Sequence, residues 1–300
     1  MAMEEARRRL GRFGVWIPPG TLLAAPVPVQ REQFARIERL GYGSVWIGEP
    51  PPTSPGVGRD AFAQLAVVLA ATERLVAGTG IANVGTRHPV AMHGAAGTLA
   101  EAYPQRVIIG LGGHGGDRPL SGLREYLDAM DQAAARLLPT VRYPRVLAAL
   151  GPKAHRLAAD RADGAVPFLQ PVEHTEIARK ALGADPLLIP HQAFVLEPDA
   201  AAARGRVRAA FGFGRSGRAG VETPYSRNYR RLGYGDDDLA GERSDRLIDA
   251  IVAWGDEATV AGRLRDHLVA GADHVVLQPL ASDLPTGVDQ LERLARDLNR

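Results

Sequence analysis

The sequence predicts an α/β barrel of parallel strands, each followed by a helix, and three observations support this fold class. Apolar segments rich in Val, Ile and Leu alternate along the chain with helical patterns. Most of these segments are continuous apolar runs, which is typical of parallel strands that are covered on both faces. Eight such alternations within 300 residues match the size of a single (β/α)8 TIM barrel. A doubly wound open sheet is the alternative, because periodicity does not separate a closed sheet from an open one.

The predicted strands are Phe13–Ile17, Ser44–Ile47, Leu75–Ile81, Val107–Leu111, Val146–Leu150, Ala165–Leu169, Leu187–Phe194 and His274–Gln278. Helical periodicity fills the intervals between them. The predicted helices are Arg31–Leu40, Ala61–Ala71, Val90–Ala102, Leu120–Leu138, Lys153–Arg161, Glu173–Leu182, Pro198–Ala210, Asp245–Trp254, Glu257–Ala270 and Gly287–Leu298. The interval between strands seven and eight is the longest and carries an insertion at about 212–243. Such a segment is typically a functional lid or a disordered loop. We expect one domain over residues 1–300.

Composition and charge exclude several functional classes. The net charge is only +2, and the arginines are scattered among acids, so no nucleic-acid footprint is expected. Cysteine is absent, which excludes disulfides and thiolate metal sites and suits a cytoplasmic enzyme. No apolar run approaches the ~18 residues that a membrane span requires. The amino terminus, MAMEEARRRL, lacks the apolar segment of a secretory signal.

Candidate catalytic groups follow the second and fourth predicted strands, where a barrel carries its chemistry. Glu49 comes directly after the second strand, either with its carboxylate in the barrel mouth or as a solvated loop acid. The fourth strand runs into GLGGHGGD, which has the G-x-G-x-x-G spacing but not the position of a dinucleotide fingerprint. We interpret it as a glycine loop that lets a ligand lie against the backbone. His114 in this loop is either a proton donor or an exposed, positioning histidine.

Two further candidates follow strand five and lie within strand seven. Gly151 and Pro152 introduce a helix whose first-turn N–H groups and positive dipole favour an anion, and Lys153 adds a charge there unless it is merely solvated. His191 is a polar residue inside the apolar run IPHQAFVL, so it either faces a ligand or is a satisfied polar group within the barrel. The other histidines show no metal-binding spacing, and no metal site is expected.

Glycines interrupt the third strand, LVAGTGIANVG, where they would normally weaken a strand. They are explained if the backbone bulges there or if a ligand approaches it closely. Gly80 is the centre of this stretch.

The third and fourth strands resemble those of the luciferase-like monooxygenase superfamily, and of its branch that uses the deazaflavin coenzyme F420. Shared features are a Gly-Thr third strand, His-Pro opening a helix, and a Tyr-Pro-x-Arg-Val segment leading to a fourth strand that ends in glycines. The matching residues are Gly78 and Thr79, His88 and Pro89, Tyr103, Arg106 and Val107, and Gly110–Gly113. The later stretches RVLAALGPKAHRLAADRADGAVPFL and SDRLIDAIVAWGDEATVAGRLRDHLVAGADHVVLQPL resemble the same branch.

This resemblance implies a cofactor site. Family members carry a bulge in strand three, often with a non-prolyl cis peptide; by residue-by-residue matching it falls at Gly80–Ile81, with the Ile81 side chain behind the tricyclic ring. Glu49 matches an acid near the polar edge of the deazaflavin. The other implied cofactor contacts are Asn83, Gly112 and Gly113, Ala149, and the phosphate loop Gly151, Pro152 and Lys153. One departure is that Pro50 stands where sugar-phosphate-oxidising members have a catalytic histidine, so those substrates are not transferred.

The resemblance further implies hydride transfer at C5 of the deazaflavin, in a homodimer, on a small-molecule substrate. Candidate proton donors are Glu49, His114 and His191, with Tyr225, Arg227 and Tyr229 of the insertion as further possibilities. Trp16, Tyr225 and Tyr229 indicate an apolar or aromatic substrate. Three alternatives stay open: an FMN-dependent monooxygenase with a separate reductase, a non-catalytic deazaflavin carrier or sensor, and a sugar-phosphate isomerase or aldolase barrel.

Overall fold

The computed structural model describes residues 3–50, 58–113, 118–212 and 222–298. Within these ranges the chain forms ten strands that pair in parallel in one sheet. The strands are β1 Phe13–Ile17, β2 Ser44–Ile47, β3 Val76–Asn83, β4 Val107–Gly112, β5 Arg145–Leu147, β6 Gly164–Ala165, β7 Leu187–Leu188, β8 His191–Leu196, β9 Val252–Gly255 and β10 Val275–Pro279.

The sheet curls back on itself. Its strand order is β7-β6-β5-β4-β3-β2-β1-β10-β8-β9, so β7 lies at one end and β8 near the other. Only Ile189 and Pro190 separate β7 from β8 in the chain. The backbone N–H of Ile189 still donates to Ala165, and that of His191 to Pro167, so this segment stays beside β6 while β8 pairs with β10.

Helices connect the strands. Their bounds are α1 Met3–Leu10, α2 Pro19–Ala24, α3 Val27–Arg39, α4 Ala61–Ala71, α5 Pro89–Ala102, α6 Pro119–Arg136, α7 Pro152–Arg161, α8 Val172–Leu182, α9 Ala200–Phe211, α10 Pro224–Arg231, α11 Asp236–Leu239, α12 Asp245–Ile251, α13 Glu257–Val269 and α14 Leu284–Leu298. Connections that cross between parallel strands through a helix are typical of α/β proteins.

Several predicted elements differ from the structure. The helix predicted to reach Trp254 ends at Ile251, because residues 252–255 pair with β8 as a further strand. The single strand predicted over 187–194 is divided around Pro190, which has no N–H to donate to a ladder. The insertion contains α10 and α11, while its residues 213–221 lie outside the described ranges.

Alternate residues of most strands contribute to two apolar clusters, and residues of β8 and β9 contribute to a third. Val45 and Ile47 of β2 belong to the large cluster that packs with the surrounding helices. Trp46 between them belongs to a second cluster, with strand residues Val76, Ile108, Val146, Leu187 and Val276, with Val166 and Ile189 just after β6 and β7, and with Ala6 and Leu10 of α1. We call this second set the inner cluster. Arg7 of α1 donates to Asp273 just before β10 and to the Asp185 carbonyl just before β7, so α1 lies at the amino ends of these strands.

We expect Gly78→Ala to destabilise the protein by about 2–4 kcal/mol through overpacking of the inner cluster. A Cβ atom on Gly78 would lie 2.6 Å from the ring of Trp46, which is fully buried and hydrogen-bonded to Ser44. Gly205→Ala in the exposed part of α9 is the control, since nothing lies within 4 Å of that Cβ position and the change removes a helix-destabilising glycine. Urea unfolding measures both; a Gly78 variant as stable as wild type would contradict the packing argument.

Candidate active site

The third strand bulges at the place that the sequence predicts. Thr79 pairs with Ile109 and Ala82 with Leu111, so β3 has one residue more than β4 between the two pairs. The peptide bond Gly80–Ile81 within this bulge is cis. The predicted bulge and the cis bond are both present, close to the carboxyl end of β3. The Ile81 side chain is half-buried against the inner cluster.

Trp16 at the carboxyl end of β1 supports the bulge from the neighbouring side. Its indole N–H donates to the Gly80 carbonyl at 2.6 Å. A Cβ atom on Gly80 would lie 3.0 Å from this indole ring, and one on Gly48 would lie 2.9 Å from it. The glycines in β3 and after β2 therefore allow the tryptophan to approach the bulge closely.

Glu49 lies beside the bulge, and each of its two carboxylate oxygens accepts two hydrogen bonds. Oε2 accepts the N–H of Asn83 at 2.9 Å, and Oε1 accepts that of Ala61, the first residue of α4, at 3.1 Å. Arg87 donates one guanidinium nitrogen to each oxygen, at 2.6 and 2.5 Å. The Glu49 side chain is only 6% exposed and that of Arg87 16%. Both oxygens are occupied, so this arrangement does not support Glu49 as the proton donor.

Arg87 is the central group of this network, which the sequence analysis missed. It also pairs with Asp60, the residue that caps α4, and its carbonyl accepts the Tyr126 hydroxyl of α6 at 2.8 Å. The guanidinium lies 5.0 Å from the centre of the Phe62 ring. One buried arginine thus joins the loops that follow β2 and β3 to two helices.

His191 is buried at the start of β8 and has no free nitrogen. Nε2 bonds the Gln278 side-chain oxygen at 2.8 Å, and Nδ1 accepts the Leu169 N–H at 3.4 Å. Burial lowers the pKa of His191 to about 3, so its imidazole is neutral at physiological pH. Both ring nitrogens of His191 are therefore satisfied in this arrangement, which does not support proton transfer by this residue.

An aromatic wall adjoins His191 and was not predicted. Phe168, after β6, stacks on the imidazole with ring centroids 3.7 Å apart. Trp16 meets Phe168 edge-on at 5.0 Å and His191 at 5.4 Å. Because the Trp16 indole is hydrogen-bonded to the Gly80 carbonyl, these three rings and the bulge lie at the same end of the sheet. We call Trp16, Phe168 and His191 the aromatic wall.

The end of β4 packs against the bulge. A Cβ atom on Gly112 would lie 2.7 Å from Ala148 and 3.1 Å from the Ile81 side chain. Gly113 has φ +82°, and a Cβ there would contact the buried Asn83 amide at 2.5 Å. Glycine is therefore required at both positions. His114 lies outside the described residues.

The helix start after β5 carries more positive charge than the sequence indicates. Gly151 caps α7, Pro152 and the exposed Lys153 form its first turn, and Ala149 is buried just before them. A Cβ atom on Gly151 would lie 2.9 Å from a guanidinium nitrogen of Arg231 at the end of α10. Within the described ranges neither Lys153 nor Arg231 pairs with a carboxylate. Two unpaired cations beside a helix amino terminus form a candidate anion site.

The insertion tyrosines occupy different environments. Tyr229 is buried and its hydroxyl donates to the Leu169 carbonyl at 2.7 Å, so it is occupied. Tyr225, one turn earlier on α10, is 37% exposed. Trp16 lies in the predicted place at the strand ends, whereas Tyr229 lies behind the turn that carries Phe168.

Two kinds of feature are absent from the described residues. No group of three or more His, Cys, Asp or Glu side chains placed to hold a metal ion occurs in the described ranges. Among the described residues, no helix is long and apolar enough to cross a membrane. The described site consists of the bulged backbone of β3, the aromatic wall, and the amino end of α7 with its two positively charged side chains.

The curled parallel sheet, with these features at its carboxyl strand ends, defines an α/β protein of the barrel type. A family model for luciferase-like monooxygenases matches residues 11–274, and the chain belongs to that family. The resemblance to the luciferase-like family found in the sequence is thereby confirmed, and the family model does not distinguish its F420-using branch. A search of curated proteins finds no significant match.

Solved structures share this fold at low identity. An F420-dependent secondary alcohol dehydrogenase in complex with an F420–acetone adduct is 17% identical with a TM-score of 0.67, covering 96% of this chain and 98% of that chain. The coenzyme F420-dependent tetrahydromethanopterin reductase from Methanopyrus kandleri is 18% identical with a TM-score of 0.67, covering 94% and 97%. The FMN-bound oxygenating constituent of 3,6-diketocamphane monooxygenase from Pseudomonas putida is 13% identical with a TM-score of 0.66, covering 96% and 97%. At these identities the likeness concerns the fold alone.

Proposed function

We propose that this protein is a coenzyme F420-dependent oxidoreductase that transfers a hydride between C5 of the deazaflavin and a small apolar or aromatic molecule. The observation that carries the proposal is the bulge at Gly80–Ile81, braced by Trp16 and adjoining the glycine end of β4. We further propose that one (β/α)8 domain spans residues 1–300, that the protein is cytoplasmic, and that it forms a homodimer.

The site fits a flat ring with an anionic tail. The glycines at 80, 112 and 113 let the side chains of Trp16, Ile81 and Asn83 lie close against the backbone, and a ring with its polyol chain would lie on the surface that these groups form. Asn83 and Ala149 would border the ring, and Ile81 would lie behind it. Gly151, Pro152, Lys153 and Arg231 would hold the phosphate through helix N–H groups and charge. The bound deazaflavin would supply the hydride chemistry.

The chain's own residues would orient and shield the reactants. The Glu49–Arg87 pair holds the backbone of Asn83 and so fixes the bulge. The aromatic wall supplies an apolar surface that excludes water. With Glu49, His191 and Tyr229 occupied, the remaining predicted proton donors are His114, Tyr225 and Arg227.

The alternative is an FMN-dependent monooxygenase of the same family that works with a separate flavin reductase. The structure favours neither cofactor, since both carry a tricyclic ring and a phosphate. Structures with this fold bind one or the other, which supports a flavin or deazaflavin.

The test is equilibrium binding of oxidised coenzyme F420 and of FMN, followed by tryptophan fluorescence, with wild-type protein and two variants. We expect micromolar binding of F420, and Arg231→Ala to weaken it about tenfold through loss of a charge-assisted contact. Arg230→Ala is the matched control, because Arg230 pairs with Asp236 and Glu222. Preferential FMN binding would establish the alternative, and binding of neither would refute the cofactor site.

A further inference from the structure

The turn after β6 contains a leucine in an unusual backbone conformation. Leu169 has φ +52°, the left-handed region that side chains other than Gly, Asn and Asp rarely adopt. Leu169 is also buried. Such a conformation persists only where surrounding contacts enforce it, and it marks candidate functional positions.

Helix α10 supplies those contacts. Tyr229 donates its hydroxyl to the Leu169 carbonyl at 2.7 Å, and the Gln170 side chain donates to the same oxygen at 2.8 Å. Asn228 in turn donates to the Gln170 side-chain oxygen at 2.8 Å. All four residues are buried. We call Asn228, Tyr229 and Gln170 the clasp.

The residue presented by this turn is Phe168. Its ring is half-buried and stacks on His191, while Trp16 meets it edge-on. His191 also accepts the Leu169 N–H, so the turn is fixed from the sheet as well. The orientation of Phe168 therefore depends on the backbone of Leu169, and through it on Tyr229.

We propose that Tyr229 is a positioning residue and that Phe168 determines substrate specificity. By holding Leu169 in the left-handed region, the clasp fixes the Phe168 ring as a flat apolar surface beside the bulge. A flat aromatic molecule is the ligand that such a surface recognises, by ring stacking. The role of Phe168 rests on the proposed function, whereas the role of the clasp does not.

A double-mutant cycle between Tyr229→Phe and Leu169→Gly tests the clasp. We expect Y229F to lower the folding equilibrium constant about tenfold in the L169G background, the cost typical of one buried hydrogen bond, because glycine has no strain to release. In the wild-type background the loss should be less than threefold, because Leu169 then leaves the left-handed region and the released strain offsets part of the lost hydrogen bond. Equal losses in both backgrounds would overturn the positioning role.

The Trp16 indole resonance provides a second readout that a purely structural role would not move. The protein has three tryptophans, so the indole N–H signals are readily assigned by single Trp→Phe variants. We expect Y229F to shift the Trp16 signal and the Y229F/L169G double variant to restore it. Tyr42→Phe is the matched control: Tyr42 is equally buried and donates to the Leu291 carbonyl at 2.9 Å, and it lies before the amino end of β2, whereas the wall lies at the carboxyl ends of the strands. An unmoved Trp16 signal in Y229F, or a shift in Y42F as large, would overturn the proposal.

Titration with acetophenone as a flat aromatic probe tests Phe168. We expect saturable binding to the wild-type protein, seen as a shift of the Trp16 signal, and at least tenfold weaker binding by Phe168→Ala. No binding to wild type, or equal binding by F168A, would overturn the specificity role. Cofactor binding is measured separately, so a failure of the probe arm is distinguishable from a failure of the cofactor site.

Discussion

Glu49→Gln is expected to lower the free energy of unfolding by about 3 kcal/mol, the cost typical of breaking a buried ion pair. The carboxylate accepts four hydrogen bonds, two from Arg87 and one each from the backbone of Asn83 and Ala61. An amide keeps the shape but offers one acceptor oxygen, so Arg87 loses its bidentate partner. The guanidinium then keeps Asp60, the Thr86 hydroxyl and the one amide oxygen, while the amide NH₂ group faces a donor in place of an acceptor.

Urea unfolding measures the loss of stability in Glu49→Gln and in the control variant Glu176→Gln. Glu176 pairs with Lys180 one turn along α8, and both side chains are well exposed, so the loss of this pair should leave the free energy of unfolding nearly unchanged. Because Glu49 holds the Asn83 backbone beside the bulge, its variant should also bind the cofactor more weakly. A Glu49 variant within 1 kcal/mol of wild type would show that the network does not stabilise the loops.

Acidification from pH 7 to pH 5 is expected to remove several kcal/mol of stability, because the protein buries histidines in the neutral form. Burial lowers the pKa of His191 and His267 to about 3 and that of His155 and His274 to about 4. Burial also lowers the pKa of His174.

The sign follows from proton linkage. The folded-state pKa values lie below the unfolded value of about 6.5, so the unfolded chain binds protons first as the pH falls. The stability is fully present above about pH 6.5 and is lost as the pH falls from there to about 4 for His155 and His274 and to about 3 for His191 and His267. Each buried histidine contributes about 1.4 kcal/mol per pH unit within that window.

Thermal unfolding between pH 7 and pH 5 measures this dependence, above the range where carboxylates titrate. His274→Gln should reduce the steepness by about one proton, whereas the exposed His88→Asn should leave it unchanged. A stability that stays constant over this range would contradict the prediction, because it would show that these histidines bind protons as readily in the folded state as in the unfolded chain.

The sequence predicted most of the strands because their apolar runs are continuous. The bounds of β1 and β2 agree with those observed, and the bulge at Gly80–Ile81 follows from glycines that a plain strand would not keep. The missed elements lack this signal. The strand β9 follows α12 without a break, and its apolar residues continue the helical pattern, so the boundary at Val252 is set by pairing with β8.

The contacts within the site were less predictable than the elements. Glu49 was identified as a candidate, but its partner Arg87 is 38 residues away, and spacing does not report such a pair. Arg231 meets Gly151 only because α10 folds back across the sheet end. Phe168 carried no signal beyond its place near a strand end. The sequence shows that His191 is a polar residue inside an apolar run. Its two hydrogen bonds, to Gln278 and Leu169, could not be predicted because only the fold brings these residues together.

Helix α1 bears on the side from which molecules reach the proposed site. Its Ala6 and Leu10 are completely buried in the inner cluster, at the amino ends of the strands. Within the described part of the chain this covers the amino end of the sheet interior, and the bulge and the aromatic wall lie at the opposite end. If the proposed cofactor and substrate both enter from that end, the one that binds deeper would bind first and leave last.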